Sequence, residues 1–236
     1  MRLPFLAEPH FIAIPALGIA YGRMPKVANS TIKRLLARAA GLSDRLTFNE
    51  VSKDLHWSDQ APDAYFLSAK ALQRKFPELF VFTFVREPME RVASCYRAKV
   101  EQAKKPYKGL IREGLAPRAD FADFIAHIAA RPDAKSNIHY RAQSAILDGA
   151  RIDFLGRYET IRDDWDDLND MLAASGRARL PGWPKRGGKR PVVNPNDYFR
   201  GDARLIQLVK ERYAEDYASY YPEFIEGEEE HIRWAL

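Results

Sequence analysis

A lysine and an arginine stand where a chain of this pattern can grip anions. Lys26 lies in the short turn Pro25-Lys26-Val27-Ala28-Asn29-Ser30-Thr31, which follows an apolar run ending near Tyr21. After the turn, Ile32, Leu35, Leu36 and Ala39 recur at helical spacing, and Asn29, Ser30 and Thr31 are types that begin helices. A strand, a turn and a helix start leave backbone N–H groups without intrahelical partners, and the helix dipole adds positive potential there. The Lys26 ammonium contributes a full charge. The same layout also serves ordinary strand-to-helix connections, and G-x-x-x-x-G-K-[ST], the Walker A phosphate loop, occurs nowhere in the chain.

The second candidate is more specific. Residues 79–85, Leu-Phe-Val-Phe-Thr-Phe-Val, form a continuous apolar run of the kind that makes a strand buried on both faces. Arg86 follows at its carboxyl end, Pro88 opens a helix extending to about residue 105, and Ser94 lies two turns along it. The planar guanidinium matches phosphate oxygens, and a serine hydroxyl can donate to the same group. One strand end would then hold one phosphate and the neighbouring strand end another, so the pattern implies a ligand with two separated phosphates. A hydroxyl acceptor would need a general base, for which His56 and His139 are candidates by type. Glu87 and Glu159 are lesser candidates, expected to pair with nearby arginines.

These residues need a scaffold. A strand is expected within 11–22, helices over about 30–40 and 62–76, a strand over 79–85, and a helix over 121–130 capped by Asp120. A third strand over 152–158, a helix over 161–174 and a last helix over 202–220 follow. Alternating strands and helices predict an α/β fold in one domain, 1–236, with a mainly parallel sheet covered on both faces. Ligands of such sheets bind at the carboxyl ends of strands, where Lys26 and Arg86 both fall. The stretch 175–201 carries six cations within 177–190 and reads as a lid or a solvated loop, and 226–236 as an acidic tail.

Composition sets limits. Thirty-seven basic and 32 acidic residues give a net charge of +5, and the pI is about 9.2. That balance favours anionic ligands, but the charges are interleaved rather than gathered on a basic face, which ranks nucleic acid low. The lone cysteine, Cys95, precludes an intrachain disulfide and reads as a small buried hydrophobe. No metal site is expected. The apolar stretch 11–21 is interrupted by Pro15 and too short to span a bilayer, so a cytoplasmic setting is expected.

Three blocks resemble the carbohydrate sulfotransferases, most closely the branch that includes chondroitin and dermatan sulfotransferases. Residues 25–36 are similar to that family's 5′-phosphosulfate loop, and residues 84–97 to its 3′-phosphate motif. Residues 138–143 with 153–160 are similar to a third block of the branch. The resemblance implies a P-loop NTPase-like α/β fold and the donor 3′-phosphoadenosine 5′-phosphosulfate, leaving adenosine 3′,5′-bisphosphate as product, with a saccharide hydroxyl as acceptor. Carried over by position, Lys26 and Val27, Ala28, Asn29, Ser30 and Thr31 would bind the 5′-phosphosulfate. Arg86 and Ser94 would bind the 3′-phosphate, with Lys189 or Arg190 closing over it. His56 resembles the active-site histidine of related heparan-type enzymes, and His139 sits in the third block. Ala28-Asn29 departs from the glycine or cysteine often found in the loop, and the lack of disulfides points to a bacterial relative. The rivals are a nucleotide-dependent kinase and a non-catalytic nucleotide- or polyanion-binding protein.

Overall fold

The computed structural model describes residues 9–42, 63–147, 149–185 and 193–226. In chain order they form β1 (Phe11–Ile14), β2 (Ile19–Gly22), α1 (Asn29–Ala39), β3 (Tyr65–Leu67), α2 (Ala69–Lys75), β4 (Phe80–Val85) and α3 (Pro88–Tyr96). Then come α4 (Phe121–Ala129), β5 (Phe154–Arg157), α5 (Ile161–Ala174), α6 (Ala203–Arg212) and α7 (Ala214–Tyr220), with shorter helical turns between. The chain divides into two compact units, Met1–Arg86 with Ala145–Val192, and Glu87–Ser144 with Val193–Leu236.

The first unit holds one five-stranded sheet in the order β3-β1-β2-β4-β5. Strands β2, β4 and β5 are parallel, while β1 runs antiparallel to both β2 and β3. The α/β architecture is as expected, with a mixed rather than wholly parallel sheet. The apolar run 11–22 is a hairpin and not one strand. Pro15 cannot donate to a ladder, so Pro15–Leu17 make a single 3₁₀ turn that Gly18 closes at φ 67°. Residues 65–67, expected in a helix, instead pair with β1. Their bulky Tyr65-Phe66-Leu67 suits an edge strand, and Ser68 begins α2 by accepting from the Ala71 amide at 3.2 Å.

The core sits on the face of β4. The Phe84 and Trp165 rings stack 5.9 Å apart, Phe82 meets Trp165 edge-on, and Trp165 is fully buried. Trp165 comes from α5, the helix expected over 161–174. On β5, Gly156 allows the Phe84 ring to lie against bare backbone: a Cβ there would stand 2.3 Å from a Phe84 ring carbon. Gly156→Ala is therefore expected to destabilise by about 1–3 kcal/mol through overpacking, read as a lower midpoint in chemical denaturation with the slope unchanged.

The second unit is helical. Asp120 caps α4 by accepting from the Asp123 amide at 2.8 Å, as expected. The predicted helix 202–220 is interrupted at Tyr213, where α6 ends and α7 begins with the ring fully buried. The helix after Pro88 is α-helical only to Tyr96 and continues as one π-helical turn, Arg97–Glu101. Cys95 is buried and in no disulfide. No helix among the described residues is long and apolar enough to cross a membrane.

Candidate functional site

Parallel register brings the carboxyl ends of β2, β4 and β5 to one edge of the sheet. Gly22 pairs with Thr83 and Val85 with Arg157, and the Thr83 hydroxyl donates to the Gly22 carbonyl at 2.8 Å. The turn between β2 and α1 leaves this edge. Met24 and Val27 plug it into the core, both fully buried. Lys26 and Ala28 take left-handed backbone angles, φ 71° and 46°. Such angles cost a non-glycine residue roughly 1–3 kcal/mol each and persist where the surroundings impose them, often at ligand-gripping loops.

Ala28, and not one of the polar residues after it, is the cap of α1, and it offers no side-chain acceptor to the first-turn amides. The Asn29 side chain, expected as a cap, accepts from the Tyr21 hydroxyl at 3.3 Å instead. An uncapped helix start preceded by left-handed residues suits an external anion that takes the amides' hydrogen bonds. Glycine would take the Ala28 angle without strain. Ala28→Gly is expected to be neutral or stabilising by up to about 1 kcal/mol, measured by thermal denaturation.

Arg86 is nearly buried, and its guanidinium meets the same turn. Nη1 donates to the Lys26 carbonyl at 3.3 Å, and the fork lies over the Tyr158 ring at 4.1 Å. The structure thus joins Lys26, Arg86 and Tyr158 at one sheet edge. Tyr158, one residue beyond β5, was missed by the sequence reading. Its position in the third resembling block was the only signal, and packing on Arg86 is a tertiary fact. In the same block Asp153 is structural, accepting from the Val81 amide at 2.8 Å.

The remaining predicted residues fall elsewhere. Ser94 lies on α3, in the second unit. Glu87 is the cap of α3. Its carboxyl accepts from the Met89 and Glu90 amides at 3.0 and 2.7 Å and from the Tyr217 hydroxyl. Burial pushes its pKa up to about 7 despite those donors. Glu159 is exposed. His56, Lys189 and Arg190 lie outside the described residues.

The described part of the basic loop is fastened down. Arg177 Nε donates to the Gly18 carbonyl at 2.9 Å, Arg179 pairs with Asp170 at 2.6 Å, and the Leu180 amide donates to Asn169 Oδ1. Two of the six cations of the proposed lid therefore anchor it.

His139 is held with unusual care within the second unit. Arg91, 1% exposed on α3, donates to the Arg141 carbonyl at 2.7 Å and the Ile138 carbonyl at 3.4 Å. The Tyr213 hydroxyl donates to the Tyr140 carbonyl at 2.5 Å. Asp216, fully buried, accepts from the Gln143 and Ser144 amides at 2.9 and 2.8 Å. The backbone around the histidine is thus pinned from α3, α6–α7 and the chain between. The ring itself contacts Asn137, whose Oδ1 lies 2.7 Å from Nδ1, and the Tyr107 hydroxyl at 3.4 Å. An amide oxygen only accepts, so Nδ1 carries the proton and the basic lone pair of the neutral ring is on Nε2. Asn137, two residues before the histidine, was not singled out from sequence.

A strand-turn-helix loop at the carboxyl edge of a partly parallel sheet, beside a buried arginine, defines an α/β protein whose loop has the geometry to receive an anion. The sulfotransferase family model matches residues 9–222, and the chain belongs to that family. Human carbohydrate sulfotransferase 14 is 24% identical over 235 residues, covering 90% of this chain and 60% of the relative. Mouse carbohydrate sulfotransferase 11 is 24% identical over 189 residues, covering 71% and 54%, and mouse carbohydrate sulfotransferase 8 is 22% identical over 226 residues, covering 88% and 53%. The chain spans 60% or less of the length of these relatives. No solved structure is a match.

Proposed function

We propose that the protein transfers a sulfuryl group from 3′-phosphoadenosine 5′-phosphosulfate to a hydroxyl of a saccharide. The observation that carries this reading is the Lys26 turn: left-handed at Lys26 and Ala28, uncapped at the start of α1, and bonded to Arg86. Its donor set is cationic and amide-rich, which fits a phosphosulfate. Family membership and relatives named as carbohydrate sulfotransferases support the reaction class and the acceptor class.

The donor supplies an activated sulfuryl group on a phosphate leaving group. In-line attack forms the bond from acceptor oxygen to sulfur and breaks the bond from sulfur to phosphate oxygen, so negative charge grows on that oxygen. Lys26 and the first-turn amides of α1 are the groups suited to stabilise it. Arg86 holds the turn in place through its carbonyl and, with Ser94, is assigned to the 3′-phosphate. The acceptor proton goes to a histidine. His139, with Nε2 fixed as the basic nitrogen by Asn137, has the geometry of a base; His56 is the rival. His139→Ala and His56→Ala are expected to differ by about 10²-fold or more in kcat, and equal mild losses would exclude both.

Calorimetry with adenosine 3′,5′-bisphosphate tests the frame. Binding that is indifferent to Mg²⁺, together with transfer of labelled sulfate to a member of a glycan panel, is the expected result. No binding overturns it, a preference for ATP with Mg²⁺ makes the protein a kinase, and binding without transfer makes it a non-catalytic nucleotide-binding protein.

A further inference from the structure

Beyond His139 the second unit holds a cationic cavity that the donor reading does not use. After α3 the chain makes the π-helical turn Arg97–Glu101, a geometry that is rare and gathers at functional sites. The turn presents Lys99, half-buried, with its ammonium 4.3 Å from the centroid of the Tyr107 ring. No carboxylate among the described residues pairs with it. Burial lowers its pKa, so the ammonium is a charge held partly out of water without a counter-ion among the described residues.

The cavity beside it has a volume of about 120 Å³. Half-buried Lys99 and exposed Lys104 and Arg118 stand around it, Tyr107, Ile111 and Pro117 form apolar wall, and no acidic residue among the described ones lines it. Arg118 is held there at a left-handed φ of 60°. Pockets that engulf a whole ligand run from about 300 to 1,000 Å³, so this one admits a substituent rather than a nucleotide. The Tyr107 ring is shared: Lys99 lies over it, and the His139 ring meets it edge-on at 5.3 Å and 78°. An anion beside Lys99 is therefore one aromatic ring away from His139.

We propose that this cavity is an acceptor subsite that takes an anionic substituent of the saccharide, a carboxylate or a sulfate, with Lys99 as its counter-ion and Tyr107 as the wall between it and His139. The inference rests on the sulfotransferase reading and deepens it, because it makes the acceptor a charged sugar chain. Lys99 is partly desolvated at a small apolar-walled cavity with Lys104 and Arg118 exposed at its rim, so an anion there gains from all three charges while the ring offers a sugar a stacking face.

The test uses three tetrasaccharides: one containing hexuronate, its carboxyl-reduced counterpart, and that counterpart bearing one sulfate. Affinities are measured by calorimetry with the full protein, with and without saturating adenosine 3′,5′-bisphosphate. The wild type is expected to bind one or both anionic probes and to bind the neutral probe much more weakly; which anionic probe binds tells carboxylate from sulfate. Lys99→Met, which keeps the aliphatic stem, is expected to weaken the anionic probe about tenfold to a hundredfold, with bisphosphate affinity and thermal midpoint unchanged. Lys99→Arg should restore most of the loss. Equal affinity for neutral and anionic probes, or no effect of Lys99→Met, overturns the subsite while bisphosphate binding leaves the donor reading standing. Loss of bisphosphate binding with Lys99-dependent saccharide binding intact would instead overturn the enzyme reading alone.

Discussion

Lys26→Ala is expected to lower kcat by about 10²–10³-fold while moving the thermal midpoint very little. The ammonium is half-exposed in the turn and contributes little to packing, whereas Met24 and Val27 hold the turn in the core. Its proposed work is confined to the moment when the phosphate oxygen gains charge, and a group that acts in the transition state costs turnover more than donor affinity when removed. The backbone supplies an internal control. Lys26 sits at φ 71°, so Lys26→Gly relieves strain that Lys26→Ala retains. The glycine variant should be the more stable of the two and equally inactive. Single-turnover kinetics with bisphosphate affinity measured in parallel checks both statements. Wild-type turnover in either variant would remove the lysine from the mechanism.

Arg91→Ala is expected to be among the most destabilising single changes in the second unit, by about 3–5 kcal/mol. Arg91 is fully buried, and its fork supplies donors to the Ile138 and Arg141 carbonyls on either side of His139. Burial pulls its pKa down, opposed by the nearby Tyr213 and Asp216, so the charge is costly to bury and is held by the polar groups around it. Removing the fork leaves a cavity, two carbonyls without that donor, and Asp216 without one of the two arginines near it. Arg91→Lys keeps the charge but cannot span both carbonyls, so an intermediate loss is expected. Denaturant midpoints give the energies. Hydrogen exchange of the 137–144 amides reports the local effect, and unchanged protection there in Arg91→Lys would show that the fork does not order the histidine segment.

Much of the scaffold was legible because it rests on local signals. The run 79–85 could be little but a buried strand, Asp120 announced α4, and the helix expected over 161–174 is α5 to the residue, with its acidic first turn. What misled was competition between levels. Residues 65–67 have a composition that a helix tolerates, and only the free edge of β1 turned them into a strand. Residues 202–220 keep helical spacing throughout, yet the backbone leaves the helix at Tyr213, φ −116° and ψ 27°, where the ring is buried.

For the site, the residue types that carry charge and their order along the chain were determined by sequence alone. Lys26 at one strand end and Arg86 at the next were identifiable because a parallel sheet places such positions on one edge by its own geometry. Tertiary structure alone decided how these groups are held. No local pattern reveals that Ala28 caps its helix in a left-handed angle, or that Arg86 grips the Lys26 carbonyl and lies on Tyr158. Nor does any reveal that Glu87 is buried as a helix cap or that Asn137 selects the His139 tautomer. Those are contacts between side chains and distant or strained backbone, and their energies depend on burial, which packing creates and a sequence window cannot contain.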